Sequence, residues 1–145
     1  MSNVWSASLP GPSRCRSKPV KALLVMVHGS PIEESNDDVR KVVEVIRSRK
    51  TYPLVEIGYL DVNQPTIPES VDLCVRAGAT EIVAVPYFLH AGRHVYVDLP
   101  ELLEEAAQKY STVSITMGDY LGRDPILATL LVDRAASARS FSPPR

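Results

Sequence analysis

Residues 81–100 read EIVAVPYFLHAGRHVYVDLP. The stretch opens as the apolar, β-branched run of a strand buried on both faces of a sheet. Pro86 and Gly92 then break the regularity. From Leu102 onward apolar residues recur three and four apart, at Leu103, Ala106 and Ala107, which is the spacing of a helix with one buried face. The stretch is therefore one strand–loop–helix unit. Its loop holds His90 and His94, two of the three histidines in the chain.

The same unit occurs four times. The strand-like runs are ALLVMV (22–27), LVEIGYL (54–60), EIVAVPYF (81–88) and TVSITM (112–117). The helical patterns between and after them carry Val39, Val42, Val43 and Ile46, then Ile67, Val71 and Cys74, then the set above, then Ile126, Leu127, Leu130 and Leu131. Ser30 with Glu33, Thr66 with Glu69, and Asp98 with Glu101 have the spacing of capping boxes, and Asp124 before Pro125 fits an N-cap with proline at the first helical position. Gly78 stops the second helix. This alternation predicts an α/β fold, a three-layer α/β/α sandwich on a four-stranded parallel sheet with right-handed crossovers. It spans residues 21–138, between a flexible basic tail at 1–20 and a short one at 139–145.

Composition narrows the function. The chain has 145 residues, 45% hydrophobic and 23% charged, with a net charge of −1. Arg14, Arg16, Lys18, Lys21, Arg139 and Arg145 sit at the ends; without them 10 basic residues face 17 acidic ones, a core of −7. A nucleic-acid binder needs the opposite balance, so none is expected. No apolar run approaches the roughly 20 residues that span a bilayer, so no membrane segment is expected either. Cys15 and Cys74 are far apart and form no C-x-x-C pattern, which suits thiols in a reducing, cytoplasmic compartment.

In open α/β sheets ligands collect beyond the carboxyl ends of the strands. His28 ends the first strand, Asp61 ends the second and His94 lies in the loop after the third, at intervals of 33 in sequence. One strand–helix repeat thus separates each pair, and all three should emerge on one rim. His28 could be a ligand or a histidine hydrogen-bonded at the sheet end, with Gly29 allowing a close approach. Ser30 could orient a ligand or simply cap a helix. Asp61 could bind a metal, shape a turn, or accept from a histidine N–H. Gly92 and Pro100 favour a loop around His90 and His94, and the residues alone do not choose between them. Glu33, Glu34, Asp37 and Asp38 read as acids favoured by a helix dipole. No G-x-S-x-G elbow and no phosphate-binding glycine loop is present.

HGS (28–30), YLDVNQPTIPES (59–70) and PYFLHAGRHVYVDLPE (86–101), in this order and spacing, closely resemble the short, single-domain sirohydrochlorin chelatases of the CbiX type, relatives of the class II ferrochelatases. The resemblance covers roughly residues 20–136. It implies a chelatase-like, flavodoxin-like half-domain and an ATP-independent lyase that inserts Co, Ni or Fe into sirohydrochlorin or a related tetrapyrrole, in cobalamin or siroheme biosynthesis. The family's two metal-binding, catalytic histidines fall on His28 and His94, leaving His90 a bystander. Asp61, the third expected metal ligand, stands where the family often has glutamate, one methylene longer. No cofactor is implied beyond the substrate metal ion. Ser30, Arg93 and Arg123 are the expected substrate-binding residues, the cations meeting the tetrapyrrole's carboxylates. A homodimer is expected, because one small domain offers only a shallow rim. The alternative is a non-catalytic metal- or tetrapyrrole-binding protein of the same fold.

Overall fold

A computed structural model describes residues 17–141. Most of the expected tail at 1–20 and the end of the one at 139–145 lie outside the described residues. The elements are β1 (Lys21–Val27), α1 (Glu33–Ser48), β2 (Leu54–Tyr59), α2 (Ile67–Arg76), β3 (Glu81–Pro86), a π-wound turn (His94–Asp98) leading into α3 (Leu99–Lys109), β4 (Ser114–Met117) and α4 (Pro125–Ala136). The strands form one parallel sheet in the order β2-β1-β3-β4. Among the described residues no helix is long and apolar enough to cross a membrane.

Alternation along β1 builds both faces at once. Ala22, Leu24 and Met26 point to one side, where Ile67, Val71 and Cys74 of α2 and Leu99, Leu103 and Ala106 of α3 close over them. Leu23 and Val25 point to the other, against Val39 and Val43 of α1. Burial pushes the Cys74 thiol up to about 11, so it stays an unreactive thiol. Asp72 of α2 ties down the end of α3, accepting from Tyr110 Oη at 2.6 Å and from Lys109 Nζ at 3.0 Å. The tyrosine hydroxyl, aided by the ammonium, holds the Asp72 carboxyl below the usual carboxylate range.

The pairing also sets the rim. Val27 lies opposite Tyr59 and Met26 opposite Pro86, so β1, β2 and β3 end at one level. Leu60 N donates to Val27 O at 2.8 Å and Asp61 N to His28 O at 2.9 Å, carrying the pairing one step past the strands.

Two expected caps hold. Thr66 and Glu69 form the reciprocal capping box, and Asp124 Oδ1 accepts from Ile126 N at 2.9 Å. Gly78, at φ +94°, follows the last turn of α2. Two others do not form. The N-cap of α1 is Ile32, not Ser30, because Glu33 is drawn to Arg40 at 2.6 Å instead of turning back to the chain. Asp98 is helical at φ −65°, since the helix begins before it; its carboxylate is used elsewhere. The segment expected as a loop up to His94 is helical from Arg93, because buried Val95 and Leu99 anchor it and Tyr96 N donates to Gly92 O at 3.0 Å. The fourth helix forms where expected, yet none of its residues is buried.

Candidate metal and macrocycle site

The loops after β1 and β2 are fastened together by glycine and asparagine chemistry. Gly29 has φ +97°, and a Cβ there would collide with the Asp61 carbonyl oxygen and stand 2.8 Å from Asn63 Oδ1. Only glycine allows both that φ and that approach. Asn63 Oδ1 accepts from Ser30 N at 2.7 Å, and Asn36, 2% exposed, donates to Ser30 O at 3.1 Å. His28 and Asp61 are thereby held side by side on the rim.

The third partner comes from the π-wound turn. The His94 ring stands edge-on to the His28 ring with centroids 5.2 Å apart, and Phe88 lies 6.5 Å from His94. In each ring Nδ1 faces an acceptor. His94 Nδ1 meets Asp98 Oδ2 at 2.7 Å and His28 Nδ1 meets Gly29 O at 3.2 Å. An ionised carboxylate and a carbonyl can only accept, so in the neutral ring Nδ1 carries the hydrogen and Nε2 keeps its lone pair. Two imidazole lone pairs are therefore available for a metal ion or a proton.

These rings line a cavity of about 340 Å³, with Asp61, Asp98, Glu101 and Glu105 as its acidic wall and Leu60 and Leu102 as its apolar part. Among the described residues, no group of three or more histidine, cysteine, aspartate or glutamate side chains converges closely enough to enclose a metal ion. Asp61 is on the cavity wall, and its Oδ1 accepts from Val62 N at 2.8 Å. The arrangement is open: it can hold a divalent cation loosely and present it outward.

Of the remaining sequence candidates, none lines this cavity. Ser30 Oγ accepts from Ile32 N at 3.1 Å and so serves the entry to α1. Arg93 is largely exposed, 3.4 Å from Asp98 Oδ1. Arg123, at φ +71°, lays its guanidinium 5.5 Å from the centre of the Tyr120 ring. His90 is exposed and stands apart from the pair. Sequence reasoning missed Asp98, Glu101, Glu105 and Asn63. Steps of four, three and four residues put His94, Asp98, Glu101 and Glu105 on one helical face, a signal hidden once 93–98 is taken for a loop.

The CbiX family model matches residues 22–138. A sirohydrochlorin cobaltochelatase from Sulfolobus acidocaldarius is 34% identical over 118 residues, 81% of this chain and 92% of that protein. A chloroplastic sirohydrochlorin ferrochelatase from Arabidopsis thaliana is 33% identical over 77% of this chain and 50% of its own length. The chain spans about half the length of several curated relatives it matches. The solved sirohydrochlorin chelatase SirB from Bacillus subtilis subspecies spizizenii, in complex with cobalt, superposes with a TM-score of 0.78 at 28% identity, over 86% of this chain and 56% of that one. The family model runs from the first strand to just past the last helix and so covers the whole α/β unit: the chain belongs to the CbiX family.

Proposed function

We propose that the protein inserts a divalent metal ion, cobalt, nickel or iron, into sirohydrochlorin or a closely related tetrapyrrole, the step that leads to cobalamin or siroheme. The observation that carries this reading is the pair of imidazoles 5.2 Å apart, each with Nδ1 occupied and Nε2 free, on the wall of an acid-lined cavity.

The acidic wall draws the cation in, and His28 and His94 hold it through Nε2 with Asp61 beside them. Imidazole and carboxylate suit late divalent metals, and an incomplete ligand set lets the ion leave for four pyrrolic nitrogens. As it enters the macrocycle, two pyrrole N–H bonds break and two protons leave. A neutral imidazole Nε2 accepts such a proton, and Asp98 stabilises the resulting cation on His94. The chemistry balances without nucleotide. The cavity alone is too open to bury most of a tetrapyrrole, so the same reading includes a homodimer whose second copy supplies the facing wall, with Arg93 and Arg123 near the substrate's carboxylates. We further propose a cytoplasmic location, in keeping with two widely spaced cysteines that form no C-x-x-C pattern.

The test is a chelation assay with sirohydrochlorin and Co²⁺, Ni²⁺ or Fe²⁺, followed by the spectral change of the macrocycle. Enzyme-dependent insertion of at least one metal is expected. Tight binding of both partners with no acceleration over the uncatalysed rate would instead make the chain a binding protein of the same fold.

A further inference from the structure

Among the described residues, helix α4 and one face of the sheet each lack a partner. Eleven of the twelve α4 residues are exposed and Leu127 is only half-buried. Yet the helix is PILATLLVDRAA, with Ile126, Leu131 and Val132 at 70%, 70% and 68% exposure and Leu130 at 45%. A helix apolar on nearly every side belongs in a protein interior.

The complementary gap lies on the α1 side of the sheet. There α1 covers β1 and β2, whereas Val83 and Val85 of β3 are only half-buried and Thr116 of β4 is exposed. On the opposite side of β3, Ile82 and Ala84 are fully covered by α2 and α3, and Pro86 is buried as well. Between α1 and the uncovered strands runs an apolar groove of about 220 Å³, lined by Leu23, Val25, Val42, Ile46 and Val85 and closed by Leu121.

The exit to α4 is fixed. Gly118 N donates to Ala84 O at 2.8 Å, Leu121 N and Gly122 N both donate to Phe88 O, and the Asp124 cap sets the first helical turn. From this pinned start the helix leaves its own groove open. We propose that α4 docks in the α1–β3 groove of a second copy of this chain, and that the second copy returns the same helix.

A two-fold pairing makes this contact twice, helix to groove and groove to helix. A twelve-residue helix is about 18 Å long and about 10 Å across, so half of its surface and the matching groove bury roughly 550 Å². Two such contacts remove roughly 1,100 Å², above the ~1,000 Å² that a biological interface needs. This inference rests on the homodimer in the proposed function and states how that dimer is joined; it does not depend on which reaction the rim carries.

The test uses the full chain in a Cys15→Ser background. One preparation carries Val42→Cys in the groove wall and a second, differently tagged, carries Leu131→Cys on α4. Mixing and mild oxidation should give a covalent heterodimer. The Val42→Cys/Leu131→Cys double variant should link between chains and not within one. Leu131→Glu should halve the mass seen by light scattering with an unchanged circular dichroism spectrum, since the residue is exposed. A link formed only within single chains would mean that α4 covers its own groove and would overturn the exchange. A wild-type dimer that yields no α4–groove link would overturn the exchange while leaving the dimer standing. A wild-type monomer would overturn both.

Discussion

In the proposed reaction, His94 and Asp98 form the decisive contact. The carboxylate fixes the tautomer and orientation of the ring at 2.7 Å, and it offsets the positive charge that a proton or a metal brings to Nε2. Asp98→Asn keeps the shape but can present an amide N–H to Nδ1, which turns the ring's hydrogen toward Nε2. Metal insertion should then fall by about 10- to 100-fold, the usual cost of losing an oriented ligand's partner. Steady-state rates alongside thermal melts check this, and a normal rate would remove Asp98 from the account. Gly29 acts differently, through the backbone. Gly29→Ala forces an L side chain into φ +97° and onto the Asp61 carbonyl, so the loops carrying His28 and Asp61 must separate. The melting temperature should drop and metal affinity with it; metal titration of the folded variant measures the second effect.

Between elements, the clasp from α2 to the end of α3 sets a pH signature. The Asp72 carboxyl is depressed, so its stabilisation is complete above the ordinary carboxylate pKa of about 3.9 and is lost as pH falls through the lower folded value. Lys109 is raised, so its share is complete below its ordinary value and is lost as pH climbs past it. Asp72→Asn should therefore cost about 1 kcal/mol at neutral pH, a modest figure because the pair is partly exposed. The gap from wild type should close in acid; a gap that stays constant down to pH 3 in denaturation curves would refute the clasp. Leu24→Ala, at the centre of the fully buried face, should cost about 2–5 kcal/mol by the same measurement. At this scale the alternation of strand and helix patterns was legible, because short continuous β-branched runs and helices with period 3.6 state their own geometry. The π-wound turn was not. Gly92 and Pro100 mark breaks in isolation, and only the burial of Val95 and Leu99 against the core makes the residues between them helical. Ser30 and Glu33 misled for a related reason: the spacing of a cap was present, but Arg40, two turns further on, captured the glutamate.

Over the whole molecule, the sheet order β2-β1-β3-β4 brings three loops to one rim and puts three residues spaced 33 apart on the wall of one cavity. That convergence could be foreseen from the repeat alone, and the resemblance to CbiX proteins picked His94 over His90. The acidic wall was less legible, since Glu101 and Glu105 look like ordinary surface acids until the helix axis is known. In the proposed dimer a second copy covers the rim. The central claim, that the facing imidazoles of His28 and His94 carry the metal into the macrocycle, has one direct measurement. Insertion rates into sirohydrochlorin should be compared for wild type, His28→Ala, His94→Ala and His90→Ala, each with a native circular dichroism spectrum. The account predicts that His28→Ala and His94→Ala fall to the uncatalysed rate while His90→Ala stays near wild type. Wild-type turnover in His94→Ala would contradict it.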